Sequence, residues 1–202
     1  MSLAASVLAD ITAGKSRVEQ RVAVYERVLG IPYRLIPALY DPAVAAGGIL
    51  MANAGSCTPK HFLLGRWLEL LGYRVRYVTS VFDWNSPALA FPDGLRRLAG
   101  RYPDEYHLCL QVSIGGEWRL VDATWDPGLR HLGFNVNESW DGVSDTANAV
   151  VPLDTVVHAS PGERDRYASE RRRARSAEEK AIVERFTMQF NRWLDECRCS
   201  HG

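Results

Sequence analysis

Alternation of apolar and polar positions predicts a β-hairpin in the middle of the chain. Between Glu105 and Ile114 the even-numbered positions up to Val112 are apolar or aromatic, with Gln111 and Ser113 among the odd-numbered ones. This period of two is typical of a strand that is buried on one face. Gly115 and Gly116 follow, and two glycines favour a tight hairpin turn because both accept positive φ. The returning strand is predicted over residues 117–125.

The hairpin register places a histidine next to a carboxylate. Counting back from the turn, Ile114 faces Glu117 and Cys109 faces Asp122, so His107 lies one diagonal step from Asp122 on the same face. Diagonal neighbours are about 7–8 Å apart at the backbone, which an imidazole and a carboxylate can bridge. A slip of one residue would put the two side chains on opposite faces. The pattern therefore predicts that His107 and Asp122 meet.

A strongly apolar helix is predicted from Cys57 to about Leu71, ended by Gly72. Its apolar positions cover so wide an arc that the helix is expected in the core. Ser56 is a candidate cap, as is Thr58 with a proline following it. His61 lies one turn after Cys57; it is interpreted as a partly buried polar neighbour, with a catalytic role as the alternative.

The remaining chain is predicted mostly as helices and connections. Residues 3–29 show helical periodicity that Gly14 interrupts, and a strand follows the core helix over residues 73–82. Residues 43–55, rich in alanine and glycine, are predicted as a loop through which backbone approaches the site closely. Residues 84–102 are predicted as a loop with one helical turn near 95–98.

The C-terminal part is predicted to contain a strand or sheet edge at 150–157, with His158 at the surface. A charged helical extension is predicted at about 163–196, within a single domain spanning 1–202. Its mixed charges indicate a solvated face. Apolar residues three and four apart in its later half predict docking on the core or on a partner subunit, so a homo-oligomer through this helix is one expectation.

Composition and charge exclude several classes of function. The 24 basic and 24 acidic residues cancel, so neither nucleic acid nor an anionic membrane is an expected partner. No apolar run approaches the roughly 20 residues of a membrane helix. Four cysteines in 202 residues do not indicate a disulfide framework, which favours a reducing, cytoplasmic setting. No phosphate-binding glycine loop occurs, and Cys197-x-Cys199-x-His201 has too few ligands for a metal site, so no cofactor or metal is expected.

The chain contains the types of residue that a nucleophilic cysteine requires. A thiol at a helix start lies in the positive end of the helix dipole, which favours the thiolate, although a lone cysteine there is more often a small buried residue of the core. A nucleophile needs a histidine to move its proton, and the histidine needs a group that orients it. Cys57, His107 and Asp122 supply these parts in chain order, with Asp126 as a second carboxylate. Residue spacing leaves open whether the hairpin face packs against the Cys57 helix.

Two segments resemble the transglutaminase-like superfamily. The first is Gly55-x-Cys57-x-x-Lys60 with the leucines that follow; the second is His107 with the glycine turn and the segment Val121-Asp122-Ala123-Thr124-Trp125-Asp126-Pro127. The resemblance covers about residues 45–127. It implies an α+β, papain-like core in which a nucleophile helix packs on an antiparallel sheet, with extra N- and C-terminal helices. It further implies Cys57 as nucleophile, His107 as general acid/base and Asp122 as the orienting carboxylate.

The donor that would stabilise a tetrahedral oxyanion is not evident from the sequence. Asn53 and the Cys57 amide are the available candidates, and Trp125 is interpreted either as hairpin packing or as a substrate-binding residue.

The predicted function is thiol-dependent acyl transfer, with an amide or peptide bond hydrolysed through a thioester on Cys57. The alternatives are a transglutaminase or deamidase acting on glutamine side chains, and a non-catalytic binding module of the same fold.

Overall fold

The protein has an α+β fold in which one helix packs on a four-stranded antiparallel sheet. The computed structural model describes residues 2–199, apart from the side chain of Cys199. The sheet order is β3-β2-β1-β4, with every neighbouring pair antiparallel. The elements are α1 Leu3–Thr12, α2 Arg17–Leu29, α3 Pro42–Ala52, α4 Cys57–Leu70, β1 Val75–Phe82, α5 Asp93–Ala99, β2 Glu105–Ile114, β3 Glu117–Val121, β4 Asp154–His158, α6 Pro161–Ala174 and α7 Ala177–Cys199. The predicted fold class is confirmed.

The predicted hairpin register is confirmed. Ile114 pairs with Glu117, and Leu110 pairs with Val121, as the glycine turn requires. β3 is shorter than the predicted strand, which extended to residue 125. It ends at Val121 because the next two amides bond elsewhere: Asp122 N–H donates to Thr146 Oγ1 (2.8 Å), and Ala123 N–H donates to His61 Nε2 (3.0 Å). The chain therefore leaves the sheet at Asp122, the residue that carries the carboxylate.

α4 is the central helix of the core, as predicted, and it contacts β2, α2 and α3. Every residue from Cys57 to Gly65 is buried. Gly65 allows close approach to the sheet, since a Cβ at this position would come within 2.7 Å of the Tyr77 hydroxyl. Ser56 is the N-cap residue by position but makes no side-chain capping bond. The first amides of α4 are therefore not capped by that hydroxyl.

The prediction of a loop over residues 43–55 is wrong for most of its length, because α3 occupies Pro42–Ala52. Asp41 starts the helix by accepting the Ala43 N–H on its carboxylate (2.8 Å), and Pro42 occupies the first helical position. Only residues 53–56 remain as the connection to α4. The alanines and glycines of this segment lie in a helix that packs closely on α4, and they do not form a flexible loop that leads to the site.

His158 was predicted at the surface and is instead buried. It lies in β4, and its Nε2 is 3.1 Å from Thr79 Oγ1 on the neighbouring strand β1. Packing of α6 against both strands covers this edge of the sheet. The helical turn predicted near residues 95–98 lies within α5.

The C-terminal extension forms two helices whose apolar stripe packs inside the chain. Ile182, Phe186, Phe190, Trp193 and Leu194 are buried. All of them except Ile182 join a second hydrophobic cluster with the aromatic residues Tyr33, Phe82, Trp84, Phe91, Trp125 and Phe134. His201 and the Cys199 side chain lie outside the described residues. Within residues 2–199, none of the helices combines the length and apolar character that crossing a bilayer requires.

α6 is attached to the sheet by a partly buried ion pair. Glu105, at the start of β2, accepts two hydrogen bonds from Arg172 on one carboxylate oxygen (3.0 and 2.7 Å), and Arg175 lies 3.5 Å from the other. Burial raises the pKa of Glu105, but the two guanidinium groups outweigh it and lower the pKa to about 2. The carboxylate therefore stays charged and holds α6 against the strand that carries His107.

Candidate active site

His107 and Asp122 meet, as the hairpin register predicted. His107 Nε2 lies 2.8 Å from Asp122 Oδ2, and the two side chains are 1% and 0% exposed. Burial alone lowers the pKa of His107, but the charge and hydrogen bond of Asp122 raise it well above its ordinary value. The same pairing holds the pKa of Asp122 well below its ordinary range despite burial. The pair can therefore hold an imidazolium in the protein interior.

Cys57 completes the group because α4 begins against β2. The His107 ring and the backbone N–H of Leu108, both in β2, act on the Cys57 thiol and favour its anionic form. Since Asp122 occupies Nε2 of that ring, Nδ1 is the nitrogen left for the sulfur. Burial raises the pKa of Cys57, but these two contacts and the charge of Arg164 outweigh it and lower the pKa. The arrangement favours a thiolate–imidazolium pair.

Asp122 is fixed by backbone donors on both oxygens. Oδ2 accepts the Ala149 N–H (2.8 Å) in addition to His107, while Oδ1 accepts the Thr124 N–H (3.0 Å). Its own backbone carbonyl accepts the hydroxyl of Tyr25 (3.0 Å). All these groups are buried or partly buried, so the carboxylate has a single orientation toward His107.

His61, the second histidine near Cys57, is neutral and structural. The backbone N–H of Ala123 donates to its Nε2 (3.0 Å), so the ring proton is on Nδ1, which donates to the Cys57 carbonyl (2.9 Å). Burial lowers the pKa of His61 to about 4. Its Nε2 lies 3.5 Å from Asp122 Oδ1, but an unprotonated nitrogen makes no ion pair there. His61 therefore links α4 to the segment after β3, and only His107 is placed to exchange a proton with the thiol.

Lys60 links the same two segments from the interior. Its Nζ, fully buried, donates to the carbonyls of Leu29 (3.1 Å), Ile31 (3.0 Å) and Thr124 (2.8 Å). Burial lowers the pKa of Lys60 to about 7, with the carboxylates of Asp126 and Asp122 acting in the opposite direction. Lys60 thus connects the nucleophile helix to the backbone two residues beyond Asp122.

Cys57 lies at the end of a small cavity. The free volume beside it is about 10 Å³, room for about one water molecule, and Cys57 is 9% exposed. The cavity shares five lining residues with a larger outer pocket of about 330 Å³: Leu35, Tyr40, Tyr102, Glu105 and Arg172. Arg172 lies over the Tyr40 ring, 4.7 Å from its centroid. The small cavity beside Cys57 and this outer pocket are therefore adjacent.

The other candidate residues lie away from the cavity beside Cys57. Asn53 is exposed at the C-terminal cap of α3, in a left-handed conformation (φ 45°). Trp125 is buried and donates its indole N–H to the Ala149 carbonyl (2.9 Å). Asp126 accepts the backbone N–H of Tyr33 and a guanidinium N–H of Arg198, both at 2.7 Å. The carboxylate of Asp126 therefore attaches α7 to the core and does not face His107.

Cys109 lies beside the histidine–aspartate pair. Its sulfur and the ligating atoms of His107 and Asp122 are all within 4.8 Å of one another, a spacing that a soft divalent cation could use. Within this structure, however, His107 and Asp122 are hydrogen-bonded directly to each other. Burial raises the pKa of Cys109, so its thiol stays protonated.

Trp84 and Arg164 are two further residues near the site that the sequence pattern does not mark as functional candidates. Among the described residues, the indole Nε1 of Trp84 is buried without a hydrogen-bond partner, and Trp84 lines the cavity beside Cys57. Arg164 reaches the site from α6, in the segment predicted only as a charged, solvated helix. No local pattern marks either residue, because each comes close to Cys57 only through tertiary packing.

Comparison with known proteins finds distant structural similarity. Neither a protein-family profile nor a curated protein matches the chain. One similar solved structure is the crystal structure of a candidate cysteine protease from Cytophaga hutchinsonii, with a TM-score of 0.42 and 18% sequence identity. The similarity covers 76% of this chain and 48% of that one, so the chain spans about half the length of that protein.

Proposed function

We propose that this protein is a thiol-dependent acyl-transfer enzyme of the transglutaminase-like type, hydrolysing an amide or peptide bond through a thioester on Cys57. The observation that carries the proposal is the buried hydrogen bond between His107 and Asp122, formed where α4 begins with Cys57 and where His107 lowers the pKa of that thiol. Such a chain of groups places a nucleophile, a proton carrier and an orienting anion in one line.

In the proposed reaction the Cys57 thiolate attacks the carbonyl carbon, and the carbonyl electrons move onto oxygen. The C–N bond then breaks as the imidazolium of His107 gives its proton to the leaving amine, which leaves a thioester on Cys57. Neutral His107 next takes a proton from water as its oxygen attacks the thioester. The C–S bond breaks, and the carboxylic acid leaves with Cys57 returned to its starting state. Asp122 keeps the imidazole oriented throughout and stays ionised.

Two donors are placed for the oxyanion. The Cys57 N–H is in the first turn of α4, where an α-helix provides no intrahelical acceptor. The Trp84 indole N–H is buried, lacks a partner among the described residues, and lines the same cavity. A buried donor without an acceptor costs about 1–3 kcal/mol, so a role in binding the transition state gives a reason for its presence.

Replacing Trp84 by Phe tests this role. The substitution keeps an aromatic ring in the cluster with Phe82 and Phe190 but removes the N–H. We expect kcat to fall about 10²-fold, as for loss of one oxyanion donor, with little change in KM or in the thermal unfolding midpoint. Trp125→Phe is the matched control, because its N–H is already bonded to a carbonyl. Equal effects of the two substitutions would assign Trp84 to packing alone.

Water is the proposed acyl acceptor. Water is the default nucleophile in an aqueous site, and the cavity beside Cys57 has room for about one water molecule.

Acyl-enzyme trapping tests the proposal with p-nitrophenyl acetate as a minimal acyl donor. We expect a burst of about one equivalent of p-nitrophenolate per protein, followed by slow turnover, as for a covalent acyl intermediate. Peptide mass spectrometry should locate the acetyl group on Cys57. The Cys57→Ala variant should lack both the burst and the adduct, while Cys197→Ala should retain them. Acetylation that ignores Cys57, or that is unchanged in His107→Ala, would contradict the proposal.

A further inference from the structure

We propose that Arg164, supplied by the C-terminal extension, is a positioning residue whose guanidinium serves as the counter-charge of the Cys57 thiolate. This inference rests on the proposed function and adds an active-site role for α6, which lies outside the segments that resemble the superfamily.

The guanidinium of Arg164 lies between the two elements that carry the reacting groups. Arg164 is 0% exposed, and its Nη2 donates to the carbonyl of Tyr106 (2.7 Å), the residue before His107 in β2. Its Cζ lies 5.9 Å from the centroid of the Phe62 ring, on α4. The side chain therefore extends from α6 into the interior between the start of α4 and β2.

The bonding of Arg164 is incomplete. Nε and Nη1 are buried and have no hydrogen-bond partner among the described residues. On the same helix, by contrast, Arg172 and Arg175 are paired with Glu105. A buried guanidinium without a carboxylate is costly, so an otherwise uncompensated one indicates an anion that forms nearby.

Cys57 is the group that becomes such an anion. Tyr106, whose carbonyl accepts the Arg164 hydrogen bond, lines the same cavity as Cys57, so the guanidinium lies near the thiol. Burial and the charge of Arg172 lower the pKa of Arg164 to about 10; among the anionic groups that act against this, Cys57 has a larger effect than Glu105 or Asp165. The same attraction contributes to the lowered pKa of Cys57, in agreement with the placement of the guanidinium.

Other ionisable groups face this pair from each neighbouring element. Those acting on Cys57 or acted on by it are Tyr33, Tyr40, Lys60, His107, Cys109 and Arg172. Around Arg164 they are Glu105, His158, Asp165 and Arg172. His107 is the main competitor for control of the thiol, because it lowers the pKa of Cys57 more than Arg164 does. A test must therefore separate the effect of Arg164 from that of His107.

A counter-charge and a structural brace have different consequences. A counter-charge increases the fraction of thiolate at neutral pH, while at high pH every molecule is already a thiolate. Removing it should therefore move the pH profile of thiol reactivity and leave the limiting rate at high pH nearly unchanged. A purely structural role would change the limiting rate or the stability without moving the profile.

The experiment measures the rate of Cys57 alkylation by iodoacetamide against pH, with the Cys57 peptide quantified by mass spectrometry. For Arg164→Met we expect the apparent pKa of Cys57 to rise by about one unit, so that alkylation below that pKa slows about tenfold. Arg164→Gln is a second neutral variant that can still donate to the Tyr106 carbonyl. If the Met variant does not fold, the same rise in the apparent pKa of Cys57 is expected for Arg164→Gln. Arg164→Lys, which keeps the charge, should stay within about half a unit of the wild type.

Arg166→Met is the matched control, since Arg166 is exposed on the same helix. A Cys57 profile that is unchanged in a folded neutral variant, or shifted equally in Arg164→Lys, would overturn the inference. His107→Ala separates this failure from failure of the proposed function. If the wild-type thiol titrates near the free value of about 8.5 and ignores His107, the proposed function itself fails. If the thiol depends on His107 but not on Arg164, only the role of Arg164 is rejected.

Discussion

Asp122→Asn is expected to lower kcat/KM for an acyl donor by about 10³–10⁴-fold, as when the carboxylate of a nucleophile triad is replaced by an amide. The carboxylate accepts hydrogen bonds from His107 and Ala149 on Oδ2 and from Thr124 on Oδ1. An amide has one oxygen, so in either orientation its NH₂ group faces a donor. The imidazole would then lose its orientation or its tautomer, and the imidazolium would lose its counter-charge.

The same substitution is expected to destabilise the fold by about 3 kcal/mol, because it leaves buried donors unpaired. Steady-state kinetics and denaturant unfolding measure the two effects separately. Asp10→Asn, on the exposed face of α1, is the control and should change neither. Turnover within tenfold of the wild type in a folded Asp122→Asn protein would show that this carboxylate does not orient the catalytic histidine.

Lys60→Met is expected to lower the free energy of unfolding by about 3 kcal/mol or more at pH 8. The substitution leaves the carbonyls of Leu29, Ile31 and Thr124 without their buried donor, at about 1–3 kcal/mol for each unsatisfied group, partly offset by the removal of a buried amine. Urea unfolding measures the loss. Lys15→Met, at an exposed position, should be nearly neutral.

The pH dependence gives Lys60→Met a second signature. Burial lowers the pKa of Lys60 to about 7 in the folded state, while the unfolded value is about 10.4. Between these values the unfolded state binds more protons, so the stability of the wild type rises with pH relative to Lys60→Met. The stability difference should therefore widen from pH 7 to pH 10. A constant difference over this range would mean that the ammonium is held charged in the interior by its three carbonyls.

The hairpin shows how far local patterns determine this protein. Two glycines that tolerate positive φ set the turn, and the turn sets every pair behind it, so the meeting of His107 and Asp122 follows from counting. The prediction of a loop over residues 43–55 is wrong because it depends on alanine and glycine content alone and leaves out the residues that precede the segment. Asp41 and Pro42 start a helix there, and the small side chains allow it to pack on α4.

The local pattern accounts for the hairpin register, the core helix that begins at Cys57, and the types of residue available for acyl transfer. These depend on local geometry: periodicity, turn conformation and the helix start. Tertiary packing gives the two histidines their different partners, Asp122 for His107 and the Ala123 amide for His61. It also brings Arg164 from α6 to the carbonyl of Tyr106, and it leaves the indole N–H of Trp84 without a partner among the described residues. Such outcomes depend on which distant segments compete for each buried hydrogen-bonding group, and no pattern along the chain records that competition.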